Sequence, residues 1–469
     1  MLFNSLDYIA FFLLIFIFYW LIPVKFKWVL LLISSYFFYI SWEPIYILLI
    51  VLSTLIDYFL CLYFTGSNDL KKRKIGLYSS VFSNLLILFV FKYFGFFQTT
   101  MQDLFALFDI DYAPQKTGLL LPLGISFYTF QTLSYSIDVY RGETTVEKHL
   151  GKFALFVSFF PQLIAGPIER AKDLIPQFHS TIKKFNSEQF KDGILLFTWG
   201  LCKKIVIADN CAILVDRYYG NSPHETGAAM LFATYLFAIQ IYCDFSGYSD
   251  MAIGSAKMLG IDLKTNFKTP YFSKSITKFW HRWHISFSQW IRDYIYIPLG
   301  GNRGSKSRIY FNLLIAMCIA GFWHGASWNF ILWGAINGVL LIIYKVFSNY
   351  FTQEFKLLTF LKTVIVFHLI CITWVFFRSS DLTQSTQILS QFTSITLNDL
   401  YFVFADNRFA PAIIGTLLLL LIEIQIPFQS IEKFRQKSMI WRYSHYIIIT
   451  VSILFIGSSV GKPFIYFQF

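Results

Sequence analysis

Nowhere does this chain offer a polar stretch long enough to fold as a soluble domain of its own. Only 14% of its 469 residues are charged, against about 25% in soluble domains, and that scarcity excludes an ordinary cytosolic enzyme. Internal repeats and low-complexity tracts are missing as well, which excludes solenoids and tethered arrays. The six cysteines, Cys61, Cys202, Cys211, Cys243, Cys318 and Cys371, lack the spacing of a disulfide framework or a metal site and read as buried thiols. There is no GxSxG elbow and no activated cysteine to carry a covalent intermediate. The first apolar stretch, Tyr8 to Ile22, has no basic residue before it and no small-residue cleavage site after it. It is therefore expected to be a retained span and not a signal peptide.

What the chain does have is apolar: 56% hydrophobic and 20% aromatic residues. Segments near the ~20 residues a bilayer requires occur at about 8–24, 28–42, 45–64, 77–95, 118–139, 151–168, 227–243, 309–324, 328–347, 358–378, 409–428 and 443–459. The expectation is an all-α polytopic membrane protein, one domain over residues 1–469, with roughly ten to twelve transmembrane helices plus re-entrant and amphipathic helices. Lys203 and Lys204 interrupt the stretch from Ile194 to Val215 and leave its crossing open.

A net charge of +12 suggests nucleic acid only in a soluble protein. Here the basic residues sit mostly in short loops between spans, the signal that sets membrane orientation, so membrane lipids are the expected anionic partner and nucleic acid is not. Lys71, Lys72, Arg73 and Lys74 follow the third span, and Lys25 and Lys27 follow the first. Both loops belong in the cytoplasm, which turns the N-terminus outward. The loop from Thr99 to Gln115 carries Asp103, Asp109 and Asp111 without lysine or arginine, as an external loop does.

In GFWHGASWNFILWG, Gly321 to Gly334, a histidine, His324, follows Trp323 inside an apolar run. Counted along a helix from Arg308 it lies roughly 24 Å deep, where an ionisable side chain is costly unless it is used. Burial disfavours the imidazolium form and leaves a neutral ring able to accept a proton. A base held away from water suits acyl transfer to an alcohol, because it activates the acceptor hydroxyl while the competing nucleophile is excluded.

The segment from Asn266 to Arg308 is dense in both aromatics and charges. On one continuous helix, Trp280, Trp283, Phe287, Trp290 and Tyr294 form an aromatic stripe, and Arg282, Ser286, Gln289 and Asp293 form a polar stripe beside it. Such a helix fits the interface or the lining of a cavity, with Trp283 and Asp293 as lining candidates. His284, on the flank of the aromatic stripe, could orient His324, bind the acceptor or polarise the acyl carbonyl. No metal is expected at His281 and His284, since no acidic or cysteine ligand stands beside them and HRWH lacks the glutamate of HExxH. His149, His179, His224 and His445 read as ordinary solvated or interfacial histidines, and His368, within a span, as a weaker candidate. In YCDFSGYSDMAIG, Asp244 is expected to face a protein interior or an aqueous cavity. In FFPQLIAGPIER, two prolines and a glycine break an apolar stretch, as a re-entrant element does.

GISFYTFQTLSYSIDVYRGE from Gly124, FFPQLIAGPIER from Phe159, DFSGYSDMAIG from Asp244, FWHRWHISFSQWIRDYIYIPLGGNR from Phe279, GFWHGASWNFILWG from Gly321 and the closing FIYFQF together resemble the membrane-bound O-acyltransferase family. The likeness is to its bacterial branch, which includes the membrane component of alginate O-acetylation. The resemblance implies helices around a tunnel, with His324 in the catalytic position and His284 in the second active-site position. It also implies acetyl-CoA as a cytoplasmic acyl-donor substrate with no bound cofactor. The acceptor would be an extracytoplasmic polysaccharide such as alginate, peptidoglycan or teichoic acid, served by a periplasmic partner of the SGNH-hydrolase type. The setting would be the bacterial inner membrane. The residues alone also fit a transporter or flippase for lipid-linked sugars, or a non-catalytic scaffold.

Overall fold

Every regular element among the described residues is a helix, the arrangement that satisfies backbone polar groups within each segment when no water is at hand. The computed structural model describes residues 1–114, 120–180, 184–347, 356–396, 398–399, 409–425, 434–458 and 461–467. Gln115, at the end of the acidic loop, and Gln468 and Phe469, at the end of FIYFQF, lie outside them. Among the described residues, six helices are long and apolar enough to cross a membrane: Pro44–Thr65, Leu70–Ala106, Gly227–Met258, Trp328–Phe347, Leu357–Arg378 and Met439–Ile456. Leu6–Leu21 and Phe409–Gln425 are shorter apolar helices. The expected stretch 309–324 lies in one unbroken helix, Lys306–His324, and the stretches near 28–42, 118–139 and 151–168 form shorter helices.

The residues gather into two units. The first comprises Met1, Leu6–Phe190 and Ala256–Lys264. It holds α1 (Leu6–Leu21), α2 (Val24–Ile40), α3 (Ile47–Thr65), α4 (Leu70–Leu88), α5 (Phe94–Ala106), α6 (Ile125–Arg141), α7 (Leu150–Ser158) and α8 (Ala171–His179). A polar knot ties α3, α4 and α6 together. Asp57 accepts from Ser80 Oγ and, at 2.9 Å to each carboxylate oxygen, from Asn84 Nδ2. Thr132 Oγ1 donates to Asn84 Oδ1 at 2.9 Å. Such bonds join helices where apolar contact gives no preference over lipid.

After α7 the segment 159–170 is irregular and buried throughout, and buried irregular backbone must find its bonds in protein. Phe160 N donates to Ser35 Oγ at 3.1 Å, and Gln162 Nε2 donates to Phe156 O at 3.0 Å. Glu169 accepts from Lys264 N at 2.5 Å.

The second unit comprises Leu2–Ser5, Lys191–Ser255 and Thr265–Phe469. Its helices are α9 (Ser187–Cys202), α10 (Asp209–Gly220), α11 (Gly227–Met258), α12 (Ile276–Trp280), α13 (Ile285–Ile291), α14 (Lys306–His324), α15 (Trp328–Phe347), α16 (Lys356–Arg378), α17 (Leu382–Gln391), α18 (Phe409–Gln425) and α19 (Met439–Ile456). Lys203 and Lys204 do not end a helix. They lie in a π-helical turn, 203–208, that joins α9 to α10, and both are buried and paired. Lys203 meets Asp250 at 2.6 Å, and Lys204 meets Asp209 at 2.7 Å and Asp244 at 2.8 Å.

Glycines set two close helix crossings. Gly200 and Gly247 face each other across α9 and α11, where a Cβ on either would press on the other's carbonyl oxygen. In the hairpin of α14 and α15, a Cβ on Gly334 would meet the carbonyl of Met317, and one on Gly321 that of Phe330. Small residues of this kind let helix backbones pack directly on each other.

Candidate active site

The hairpin of α14 and α15 places His324 at the C-terminal end of α14, 3% exposed. The run from Lys306 to His324 is helical throughout, as the depth argument requires. Trp323 precedes it, 4% exposed, with its ring 4.9 Å from that of His324 and 4.4 Å from that of Phe287.

The Asn266 to Arg308 segment departs from the expected continuous helix. α12 ends at Trp280, the chain turns through 281–284, α13 starts at Ile285, and a π-helical turn covers 292–296. The break has a local cause: His284 sits at φ 41°, ψ 58°, a left-handed conformation that a helix interior cannot hold. Asn266 clamps it there. Its carbonyl accepts from Ile285 N at 2.8 Å, and its Oδ1 accepts from Ser286 Oγ at 2.6 Å. Lys268 N donates to Arg282 O at 2.9 Å. An aromatic spacing of three and four survives across the turn, so the sequence pattern hides it.

The turn brings the histidines together. The ring centroids of His284 and His324 are 6.3 Å apart, and Phe287 lies against both, at 4.9 Å and 5.3 Å. Phe245 packs on His284 at 4.6 Å, and Trp333 and Phe377 pack on His324 at 5.2 Å and 5.4 Å. His284 has no exposed surface. Its burial, and secondarily the nearby His324, hold it well below the ordinary imidazole value, so it is a neutral ring at physiological pH.

The remaining sequence candidates divide. Trp283 is 1% exposed and stacks on Phe279 at 5.5 Å, inside an aromatic cluster that includes Phe267 and Trp374. Asp293 is partly exposed and accepts from Arg292 Nε at 2.7 Å. Asp244 faces the protein interior, bound to Lys204 and, at 2.8 Å through Oδ2, to the backbone N–H of Ile465. His445 is buried, with its ring stacked on Trp441 at 3.6 Å, and so is not a solvated histidine.

Asp244 thereby leads to a residue that sequence reasoning passed over. The C-terminal turn, Ile465–Phe467, hangs from the Asp244 carboxylate. Tyr466 within it packs on Phe245 at 4.0 Å and lies 6.2 Å from His284 and 5.8 Å from His324. The closing FIYFQF was the available signal.

A cavity of about 470 Å³ runs alongside the histidines. Trp280, Phe287 and Ala320 form part of its apolar wall, Arg292 and Lys345 supply its cationic groups, and His281 lines it as well. Neither catalytic candidate lines it directly; Phe287 belongs both to its wall and to the ring cluster. His281 and His284, three positions apart, are divided by the turn: His281 is exposed at the cavity and His284 is buried.

Comparison with known proteins adds the following. Residues 34–380 match the family model of MBOAT, the membrane-bound O-acyltransferase family. A probable alginate O-acetylase of Pseudomonas aeruginosa is 42% identical over 385 residues, 81% of this chain and 73% of that protein. A peptidoglycan O-acetyltransferase of Helicobacter pylori is 31% identical over 484 aligned positions, 94% of this chain and 91% of that protein. A teichoic acid D-alanyltransferase of Bacillus subtilis is 30% identical over 278 residues, covering 54% of this chain and 68% of that protein.

Proposed function

Since this chain belongs to the membrane-bound O-acyltransferase family, we propose that it O-acetylates an extracytoplasmic polysaccharide, with His324 as the general base. The relatives named for alginate and peptidoglycan acetylation support the acceptor class. The observation that carries the reading is the pair of buried imidazoles 6.3 Å apart inside an aromatic shell.

In this reading acetyl-CoA is the donor, and its thioester arm enters the 470 Å³ cavity with its phosphates toward His281, Arg292 and Lys345. The acceptor hydroxyl gives its proton to a His324 nitrogen as its oxygen attacks the acetyl carbonyl. The C–S bond then breaks, and the imidazolium returns the proton to the departing thiolate. Aromatic rings on all sides keep water from competing. His284 orients the base or polarises the acetyl carbonyl. The protein lies in the bacterial inner membrane with its N-terminus outward, and a periplasmic partner of the SGNH-hydrolase type completes delivery to the polymer.

The test is His324→Ala in reconstituted full-length protein supplied with labelled acetyl-CoA. The variant is expected to insert and melt like wild type and to lose transfer by about 10²-fold or more. Retained turnover would overturn the assignment.

A further inference from the structure

A second hollow, of about 280 Å³, shares only Tyr344 with the larger cavity. Its walls are two facing helix stripes. Leu340, Ile343, Tyr344 and Phe347 come from α15, and Lys362, Ile365, Val366 and Leu369 come from α16. Each set recurs at three- and four-residue spacing, which places it on a single helix face.

Lys274 and Lys278, before and within α12, and Lys362 of α16 all line it, and every charged group in the described lining is one of these three lysines. Leu369 lies roughly 10 Å further along α16 from Lys362. Both walls belong to helices long and apolar enough to cross a bilayer, and Ile343 and Ile365 are 48% and 58% exposed. The groove therefore opens sideways, toward lipid.

We infer that this groove is a binding site for an anionic phospholipid, with its phosphate among Lys274, Lys278 and Lys362 and one acyl chain along the Ile343 and Ile365 faces. Basic pockets between transmembrane helices recognise anionic headgroups in this way. A zwitterionic lipid offers the same chain but places an ammonium group near the lysines, so charge selects the headgroup. A peptide segment from a partner protein would need to pair its backbone groups within a groove whose walls are largely hydrocarbon.

The test uses full-length protein in nanodiscs holding equal labelled phosphatidylglycerol and phosphatidylcholine, followed by detergent extraction and measurement of the lipid retained. Wild type is expected to keep phosphatidylglycerol preferentially. Each Lys→Gln change should cost about fivefold in that preference, and Lys274→Gln, Lys278→Gln and Lys362→Gln together about a hundredfold. Lys71→Gln with Lys72→Gln, in the basic first turn of α4, should leave it unchanged. Ile343→Trp, which fills the groove, should lower retention of both lipids, and Lys362→Arg should restore what Lys362→Gln loses. Equal retention of the two lipids by wild type, or an unchanged preference in the inserted triple variant, overturns the proposal. Should the triple variant misfold, Ile343→Trp decides. Retention is read without turnover, so its failure leaves the acyl-transfer reading untouched.

Discussion

The imidazole of His284 lies 6.3 Å, centroid to centroid, from that of His324, with the Phe287 ring against both. His284 stands at the start of α13 and His324 at the end of α14. The contact exists because the chain reverses into a left-handed conformation at His284, and the Asn266 carbonyl and side chain hold the start of α13 in place. At this spacing, in surroundings this dry, two imidazolium ions would repel strongly, so the pair works with at most one proton.

The left-handed backbone makes His284 a position where stability and chemistry can be measured separately. Asparagine tolerates that conformation and alanine does not, at a difference of about 1 kcal/mol. His284→Asn is therefore expected to melt above His284→Ala, while under the proposed role of the ring both lose transfer by about 10²-fold. Full turnover in His284→Asn, measured with labelled acetyl-CoA, would show that the residue serves only the turn. The folded value of His284 is depressed, so its contribution to stability is present above pH 6.5 and fades as pH falls below it. Replacing it with asparagine should remove that share of the acid sensitivity.

How much of this was legible beforehand varies with the range of the interactions. The all-helical membrane architecture and the helix that leads to His324 follow from apolar length and helical periodicity, both local properties, and α14 does run unbroken from Lys306 to His324. The break before His284 was hidden because the aromatic spacing of three and four continues across it, and Asn266, which holds the turn, lies ahead of the aromatic stripe. Lys203 and Lys204 looked like an interruption of a span because their partners, Asp250, Asp209 and Asp244, are mostly distant in sequence. Tyr466 reaches the histidines through a bond to Asp244 that no periodicity announces.

Glu169 gives a pH dependence in the opposite direction. Burial, only partly offset by the hydrogen bond from Lys264 N and the Lys264 charge, pushes its carboxyl up to about 7. A raised folded value means that the contribution to stability is complete below the ordinary carboxylate value near 4.5 and is lost as pH rises toward 7. Glu169→Gln keeps an oxygen to accept from Lys264 N and cannot ionise. The unfolding free energy of the variant relative to wild type should therefore climb between pH 5 and pH 8, by an amount on the order of 3 kcal/mol at most. A difference that stays flat across that range would mean that Glu169 is ionised throughout.

Asp244 links the buried ion pair to the candidate site, and its removal should be felt in both. In Asp244→Ala, Lys204 keeps Asp209 as a partner at 2.7 Å, but the backbone N–H of Ile465 loses its acceptor. Breaking one side of a buried ionic network costs about 3–5 kcal/mol, and the surviving Asp209 pair sets the expected loss near the lower figure. The C-terminal turn is then freed from its anchor, and Tyr466 leaves its place beside His284 and His324. Turnover should fall more steeply than stability alone explains. Asp244→Asn, which keeps an oxygen for Ile465 N while removing the charge, should recover most of the activity but not the melting temperature. If Asp244→Asn is as inactive as Asp244→Ala, the carboxylate acts through its charge and not by holding the C-terminal turn.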